Sequence, residues 1–276
     1  ENPGATIEGH TTRMKHKDGS WRWIEPIVTN LIHDPTIGGI VDVFRDVTKE
    51  KTEELEKGLV NRINNIFNQE EENDLTIILS KVCEQIVRFG DFSFAEIWLP
   101  AFDKKTLSQK ANFAGNKAGK MFHKASTKEN TIGIQSGLSD EVLKNKETVI
   151  WESDDDEWNL LRRKAAADKA GIKSLIAIPL LHNDELLGGL LIGTKKPKSA
   201  LSINLDMFQK LTLTLGSELS RKKTEIELNQ IFSFTPNMIC VAGFDGYFRK
   251  VNPAGLTLLG YSLEELLSRP IKSFVH

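Results

Sequence analysis

The stretch from Ser174 to Pro197 (SLIAIPLLHNDELLGGLLIGTKKP) constrains the fold of this chain more than any other. Two apolar runs, Ser174–Leu181 and Leu186–Ile192, flank the polar residues His182–Glu185, which predicts a β-hairpin. Both runs are apolar at nearly every position, so we expect strands that are covered on both faces. Three glycines mark places where a strand bends or a neighbouring group comes close: Gly188, Gly189 and Gly193. The hairpin therefore predicts the centre of a sheet that carries helices.

The composition describes a globular chain and argues against several classes of partner. The length of 276 residues favours roughly two domains. A formal net charge of −2 gives no reason to expect nucleic acid or an anionic membrane as a partner, and no apolar run is long enough to span a bilayer. Cys83 and Cys240 lie far apart in apolar runs, which favours a reduced, cytoplasmic setting. A start without methionine or signal peptide indicates a fragment.

Alternating β-branched and aromatic residues at the start of the chain predict a three-stranded meander. Its expected strands are Thr6–His16, Trp21–Ile32 and Ile40–Val47, with a tight turn at Asp18-Gly19 between the first two. Three strands without a helix beneath them cannot bury a core, so this segment is a very small domain or the tail of a larger one. Thr48 is the expected N-cap of the helix that follows.

The middle of the chain predicts amphipathic helices and short strands. The first helix, Thr48–Asn68, and a second that begins near Asp74 repeat apolar residues at spacings of three and four. Cys83 lies on the apolar stripe of the second helix, and we interpret it as a small buried side chain rather than a reactive thiol. Further elements are expected in chain order: strands Phe92–Leu99 and Thr106–Phe113, a helix Ser139–Lys146, a strand Thr148–Glu152, a helix Trp158–Lys169 and a long helix from Asn204.

The last part of the chain begins a new unit. Strands at Met238–Ala242 and Tyr247–Val251 are joined by Phe244-Asp245-Gly246, which is a hairpin signal. Asn252 followed by Pro253 predicts a helix start, and Ser262-Leu263-Glu264-Glu265 predicts a capping box that opens another helix.

Both ends of the chain resemble halves of PAS domains. The stretch Lys15–Lys51, with KHKDGSWRWIEP and GGIVDVFRDVTKEK, resembles the C-terminal half of a PAS domain. The stretch Ile231–Leu267, IFSFTPNMICVAGFDGYFRKVNPAGLTLLGYSLEELL, resembles the N-terminal half of another. The two halves are complementary, which indicates two PAS copies that are each incomplete here.

The middle resembles a GAF domain through Gly137–Ser153 (GLSDEVLKNKETVIWES), Ala170–Pro197 and the helix that follows. This resemblance implies an antiparallel sheet with helices on one face and a pocket on the other. The expected fold class is α+β, a central GAF domain flanked by two incomplete PAS domains and joined by long amphipathic connector helices. The expected boundaries are residues 1–48 for the first PAS half, 49–68 for a connector helix, 69–221 for the GAF domain, 222–230 for a second connector and 231–276 for the second PAS half.

A PAS–GAF–PAS array resembles the input region of a bacterial sensor histidine kinase in a two-component phosphorelay. The resemblance implies a cytoplasmic homodimer through the connector helices, in which binding in one module shifts the helix that leaves it. Asp46 and Thr48 lie where a PAS domain fixes the start of its output helix, so they are the candidate signal-relay residues, with plain helix capping as the alternative. A diguanylate cyclase or transcription regulator as the parent protein, and a GAF spacer without ligand, also remain open.

Catalysis is poorly supported by this sequence. Its six histidines lack the pattern of a phosphoacceptor helix, and neither a P-loop nor Cys/His metal-ligand spacing occurs. No cofactor is identifiable, since Cys83 is not placed where a bilin-binding GAF domain has its cysteine. The acidic run Asp154–Glu157 is interpreted as a solvated loop. The resemblance allows a small-molecule ligand in the GAF pocket, and Trp151 and Trp158 are the candidate contacts, with ordinary core packing as the alternative.

Overall fold

The computed structural model of the chain describes residues 5–17, 19, 21–69, 74–101, 106–126, 131–133, 145–198, 201 and 205–275. The predicted turn residue Asp18 and the predicted helix start at Ser139 lie outside the described residues. The chain divides into two compact units, Glu1–Glu218 and Leu219–His276. No helix within the described ranges has the length and apolar character needed to cross a bilayer.

The first sheet is an antiparallel meander built around one long strand. Strands β1 (Thr6–Glu8) and β2 (Thr12–Lys15) pair with one side of β3 (Trp21–Leu31), and β4 (Gly39–Asp46) pairs with the other side. The prediction of one continuous strand over Thr6–His16 is wrong. Pro26 of β3 has no N–H to offer the strand opposite, and the chain there bulges by one residue between β1 and β2.

A six-stranded antiparallel sheet forms the centre of the first unit, in the order β7-β6-β5-β10-β9-β8. Its strands are β5 (Phe94–Pro100), β6 (Thr106–Ala114), β7 (Thr131–Gly133), β8 (Val149–Glu152), β9 (Ser174–His182) and β10 (Glu185–Thr194). The predicted hairpin is confirmed as β9–β10, and β10 also pairs with β5. The two central strands are therefore β5 and β10.

The hairpin turn and its glycines explain the shape of this strand pair. Asn183 and Asp184 have φ of 47° and 64°, which makes a two-residue turn of the kind that favours hairpins. A Cβ atom on Gly188 would lie 2.3 Å from Trp98 O, and one on Gly193 would lie 2.0 Å from the Phe94 ring. Glycine is required at both positions because the neighbouring strand β5 comes too close for a side chain.

Helices cover both faces of this sheet. Helix α1 (Thr48–Phe67) packs on α2 (Leu75–Gly90), which packs on β5 and β6 through an apolar stripe that includes the fully buried Cys83. On the other face lie α3 (Lys117–Ser126), a 3-10 helix (Asp156–Leu160) and α4 (Lys164–Ala170), around a buried cluster of apolar side chains. The long helix α5 runs from Leu205 to Phe234 without a break at the predicted boundary between residues 221 and 222.

One helix in this region was not predicted, and one predicted helix is wrong. Helix α3 falls in a basic stretch whose pattern was too weak to predict it, because its buried face consists mainly of small residues and Phe122. The predicted helix Trp158–Lys169 is instead a 3-10 helix and a separate α-helix. The chain leaves helical geometry at Leu161, and the side chain of Arg163 at the start of α4 is buried against the sheet.

The second unit contains a short hairpin followed by two capped helices. Strand β11 (Cys240–Ala242) pairs with β12 (Phe248–Val251), and α6 (Pro253–Leu259), α7 (Leu263–Ser268) and a 3-10 helix (Ile271–Ser273) follow. The predicted caps are confirmed: Asn252 accepts a hydrogen bond from Gly255 N, and Ser262 and Glu265 form a capping box. A small core of Phe248, Val251 and Leu266 holds the unit together.

The tight fit at Gly193 gives a stability test of the central hairpin. We expect Gly193→Ala to lower the free energy of unfolding by about 1–3 kcal/mol, because the buried Phe94 ring must move. Gly189→Ala is the matched control, since its Cβ would lie 3.8 Å from the nearest atom. Urea unfolding followed by tryptophan fluorescence measures both variants, and equal midpoints would contradict this account of the hairpin.

Candidate functional site

The central strand β5 carries an acidic residue in the middle of an otherwise apolar stretch. Glu96 lies between Ala95 and Ile97, and its side chain has no solvent exposure. Because side chains alternate along a strand, Glu96 lies on the same face as Phe94 and Trp98, beneath α3 and α4. A carboxylate without access to water needs hydrogen-bonded and charged partners.

Arg163, at the start of α4, supplies the counter-charge. Its Nη1 donates to Glu96 Oε2 at 2.5 Å and its Nη2 donates to Glu96 Oε1 at 2.8 Å. The same Nη2 donates to Ser126 Oγ at 2.5 Å. The guanidinium carbon lies 4.3 Å from the ring centroid of Phe122 and 5.5 Å from that of Trp98. The guanidinium is therefore held by a carboxylate and a hydroxyl and flanked by two aromatic rings.

Two further side chains complete the surroundings of Glu96. Trp98 Nε1 donates to Glu96 Oε2 at 3.0 Å, and His123 Nε2 lies 3.0 Å from Glu96 Oε1. Burial by itself raises the pKa of Glu96, but the side chains of His123 and Arg163 beside its carboxylate outweigh burial and hold that pKa below its ordinary value. Glu96 is therefore a carboxylate at neutral pH. We call Glu96, Trp98, Phe122, His123, Ser126 and Arg163 the Glu96 cluster.

Sequence reasoning missed every member of the Glu96 cluster. The signal that could have found it is Glu96 itself, because a charged residue inside a strand that is buried on both faces requires a buried partner. The partner could not be named, since Arg163 lies 67 positions further along the chain.

The predicted ligand contacts Trp151 and Trp158 are both buried in one apolar cluster with Phe94 and Phe122. Trp158, on the 3-10 helix, donates its indole N–H to Asp168 Oδ1 at 2.9 Å. The indole N–H of Trp151, on β8, is buried and has no acceptor among the described residues. The structure thus brings the two residues together, and no described residue accepts from the indole N–H of Trp151.

The predicted relay residues Asp46 and Thr48 form a hydrogen-bonded junction between the first sheet and α1. Thr48 Oγ1 accepts a hydrogen bond from Trp23 N at 2.8 Å and donates to Asp46 Oδ1, which also accepts from Thr48 N. These hydrogen bonds from Thr48 hold the pKa of Asp46 below its ordinary value. The prediction of Thr48 as the N-cap is wrong, because Val47 is the N-cap. The Thr48 hydroxyl instead accepts a hydrogen bond from the backbone of Trp23 in β3.

Among the residues that the structure describes, no group of three or more His, Cys, Asp and Glu side chains could hold a metal ion. Burial raises the pKa of the Cys83 thiol far above its ordinary value, which agrees with its interpretation as a small buried side chain.

Removing the charge of Glu96 tests the energetic weight of the cluster. We expect Glu96→Gln to lower the free energy of unfolding by about 3–5 kcal/mol, because it leaves the buried guanidinium of Arg163 without a counter-charge. Glu84→Gln is the matched control, since Glu84 pairs with Arg88 at the surface, and we expect it to cost less than about 1 kcal/mol. Similar losses in urea unfolding for the two variants would contradict the assignment.

The lowered pKa of Glu96 predicts how the stability of the folded chain depends on pH. The pKa of Glu96 is lowered in the folded chain from 4.5, so its contribution to stability is fully present above that value and is lost as pH falls through the folded pKa. The difference in unfolding free energy between the wild type and Glu96→Gln should therefore shrink as pH falls below about 4.5. A difference that grows on acidification would contradict this sign.

Comparisons with known proteins agree with the two units. The GAF domain family matches residues 72–217, and the PAS domain family matches residues 227–275. None of the curated proteins matches the chain. The assignment of residues 1–48 to a PAS domain stays a prediction.

Several solved GAF domains resemble the chain at low sequence identity. The GAF domain of an Acinetobacter phosphoenolpyruvate-protein phosphotransferase is 15% identical and covers 62% of this chain and 96% of its own, with a TM-score of 0.46. The A. aeolicus nlh2 GAF domain in an inactive state is 14% identical, with coverages of 62% and 98% and a TM-score of 0.48. The phycoerythrobilin-bound GAF domain of a cyanobacterial phytochrome is 14% identical, with coverages of 62% and 97% and a TM-score of 0.45. Because the GAF family match spans more than half of the sequence, the chain belongs to the GAF domain family.

Proposed function

We propose that this chain is the sensory and signal-relay region of a multidomain two-component signalling protein, with a sensor histidine kinase as the parent protein. GAF and PAS domains are signal-sensing modules, and both families match this chain. The relay passes conformational change through α1 and α5, which act as connector helices in a cytoplasmic homodimer. Such a relay needs an element with two arrangements that ligand or partner binding can bias.

The observation that carries this proposal is the attachment of α1 at both its start and its middle. At the start, the hydroxyl of Thr48 ties the helix to β3 and to Asp46. In the middle, Glu56 accepts a hydrogen bond from Lys210 Nζ of α5 at 2.7 Å. A displacement of the first sheet therefore acts directly on α1, and α1 in turn acts on α5.

The length of α5 suits a relay element. Its 30 residues form one continuous helix that is about 45 Å long. Near its end, Leu228, Ile231 and Phe234 are more than half exposed. Apolar residues at spacings of three on an exposed helix support a helical partner, which in a homodimer is the same segment of a second copy.

Trp151 is the better of the two proposed ligand contacts. Trp158 already uses its N–H on Asp168 and is explained by packing. Trp151 is buried, and within the described part of the chain its N–H has no acceptor, so that a ligand acceptor would satisfy it. A small-molecule melting screen on the full chain separates a ligand sensor from a GAF spacer without ligand, since only a sensor should gain stability from a specific compound.

The junction at Thr48 gives a test of the relay. We expect Thr48→Val to speed hydrogen exchange in the first turns of α1 by about tenfold or more, because Trp23 N loses its acceptor. The relay further requires faster exchange in α5 around Lys210. Thr52→Val is the matched control, since Thr52 donates to the carbonyl of Thr48 within the helix. An effect confined to the first turn of α1, or equal effects of both variants, would contradict the relay and leave Thr48 with a local structural role.

The exposed stripe on α5 gives a test of the homodimer. We expect the wild type to scatter light as a dimer at tens of micromolar, and the double variant Leu228→Glu with Ile231→Glu to scatter as a monomer, because charges would enter an apolar seam. The control is Asn229→Glu with Gln230→Glu, which adds the same charge at neighbouring exposed positions. A monomeric wild type would contradict the proposed dimer.

A further inference from the structure

We propose that Glu96, Trp98, Phe122 and Ser126 form a guanidinium-binding site that Arg163 occupies as an internal ligand. The signal molecule of the GAF domain is then a small compound with a guanidinium group, which takes the place of Arg163. This inference rests on the proposed sensory function and names the ligand class of its GAF domain.

The chemistry of the site selects a flat cation with forked donors. Both oxygens of Glu96 are engaged by the two terminal nitrogens of Arg163, in the paired geometry that guanidinium and carboxylate share. Ser126 Oγ accepts a third hydrogen bond, and the rings of Phe122 and Trp98 lie within cation–π distance of the cationic carbon. An ammonium ion is a compact point charge and cannot match this arrangement.

Arg163 is held by less than a full set of contacts. Its Nε is buried and has no acceptor among the described residues. Arg163 also comes from a segment with little regular structure, between a five-residue 3-10 helix and the seven-residue α4. Such a segment can leave the sheet at a lower free-energy cost than a strand can, whereas Glu96 is fixed in the centre of β5.

Displacement by another cation avoids the main cost of opening the cluster. Removing Arg163 alone would take the guanidinium counter-charge away from the buried carboxylate of Glu96, which is strongly unfavourable. A ligand guanidinium replaces the lost charge and the lost hydrogen bonds. The exchange therefore changes neither the net charge around Glu96 nor the number of ion pairs that Glu96 makes. The segment Asp156–Ala170, which contains Trp158, is then released from the sheet, and this release is the conformational signal.

Chemical complementation tests the recognition step. In the full-length chain, Arg163→Ala should vacate the site, and millimolar guanidinium chloride should then raise its melting temperature by about 2–4 °C at roughly five times the dissociation constant. Ammonium chloride at the same ionic strength should bind at least about tenfold more weakly. The control variant is Lys164→Ala, which removes the neighbouring, partly exposed positive charge and should show no guanidinium-specific shift. Equal responses to the two salts in Arg163→Ala would overturn the site.

If Arg163→Ala does not fold, Arg163→Lys serves in its place, because it keeps a positive charge beside Glu96 without the guanidinium fork. Guanidinium should stabilise this variant more than ammonium does, and an equal effect of the two salts would overturn the site.

The wild type tests the displacement step. Agmatine at millimolar concentration should speed hydrogen exchange over residues 156–170, while putrescine, its diamine counterpart, should not. Faster exchange with agmatine alone supports the proposal, and unchanged exchange in the wild type would overturn displacement even if the variants bind guanidinium. A different compound that stabilises the wild type without changing this segment would overturn the guanidinium assignment and leave the sensory function standing.

Discussion

The arrangement of the GAF domain depends on the neutralisation of one carboxylate inside its central sheet. Glu96 has no exposure to water, and the structure surrounds it with partners from different parts of the chain. Trp98 comes from the same strand, His123 from α3, and Arg163 from the start of α4. An unpaired charge there would cost several kcal/mol, which is a large fraction of the stability of an ordinary domain. The pairing therefore fixes both helices over this face of the sheet.

Elements that are encoded by neighbouring residues could be predicted from the sequence. The hairpin β9–β10 needs only two apolar runs and a polar turn, and α2 needs only apolar residues at helical spacing. The caps at Asn252 and Ser262 are encoded within four residues each. Where local signals agreed with one another, the predicted elements are present, with ends shifted by a few residues.

The Glu96 cluster could not be predicted because its contacts join distant positions. The local pattern from Trp158 to Lys169 predicts one helix, but the chain forms two. The helix is interrupted because the pairing of Arg163 with Glu96 stabilises the fold more than the lost helical hydrogen bonds would. The candidate ligand residues show the same limit. The sequence indicated Trp151 and Trp158 equally. Only the folded structure shows that the indole N–H of Trp158 donates to Asp168, whereas that of Trp151 has no acceptor among the described residues.

The two ion pairs along the proposed path differ in strength, and this difference decides where movement occurs. Arg163 and Glu96 are both buried, whereas Lys210, the partner of Glu56, has a side chain that is 54% exposed. Breaking the Glu96 pair leaves two buried charges without their ion-pair partner, whereas breaking the other pair leaves one, the buried carboxylate of Glu56, because water can solvate Lys210. Strand β5 reaches α1 through α2, because Glu96 lies on one face of β5 while α2, which packs on α1, also packs on β5. A signal that opens the Glu96 cluster would therefore be relayed as a movement between α1 and α5, because their ion pair costs less to break than the Glu96–Arg163 pair does.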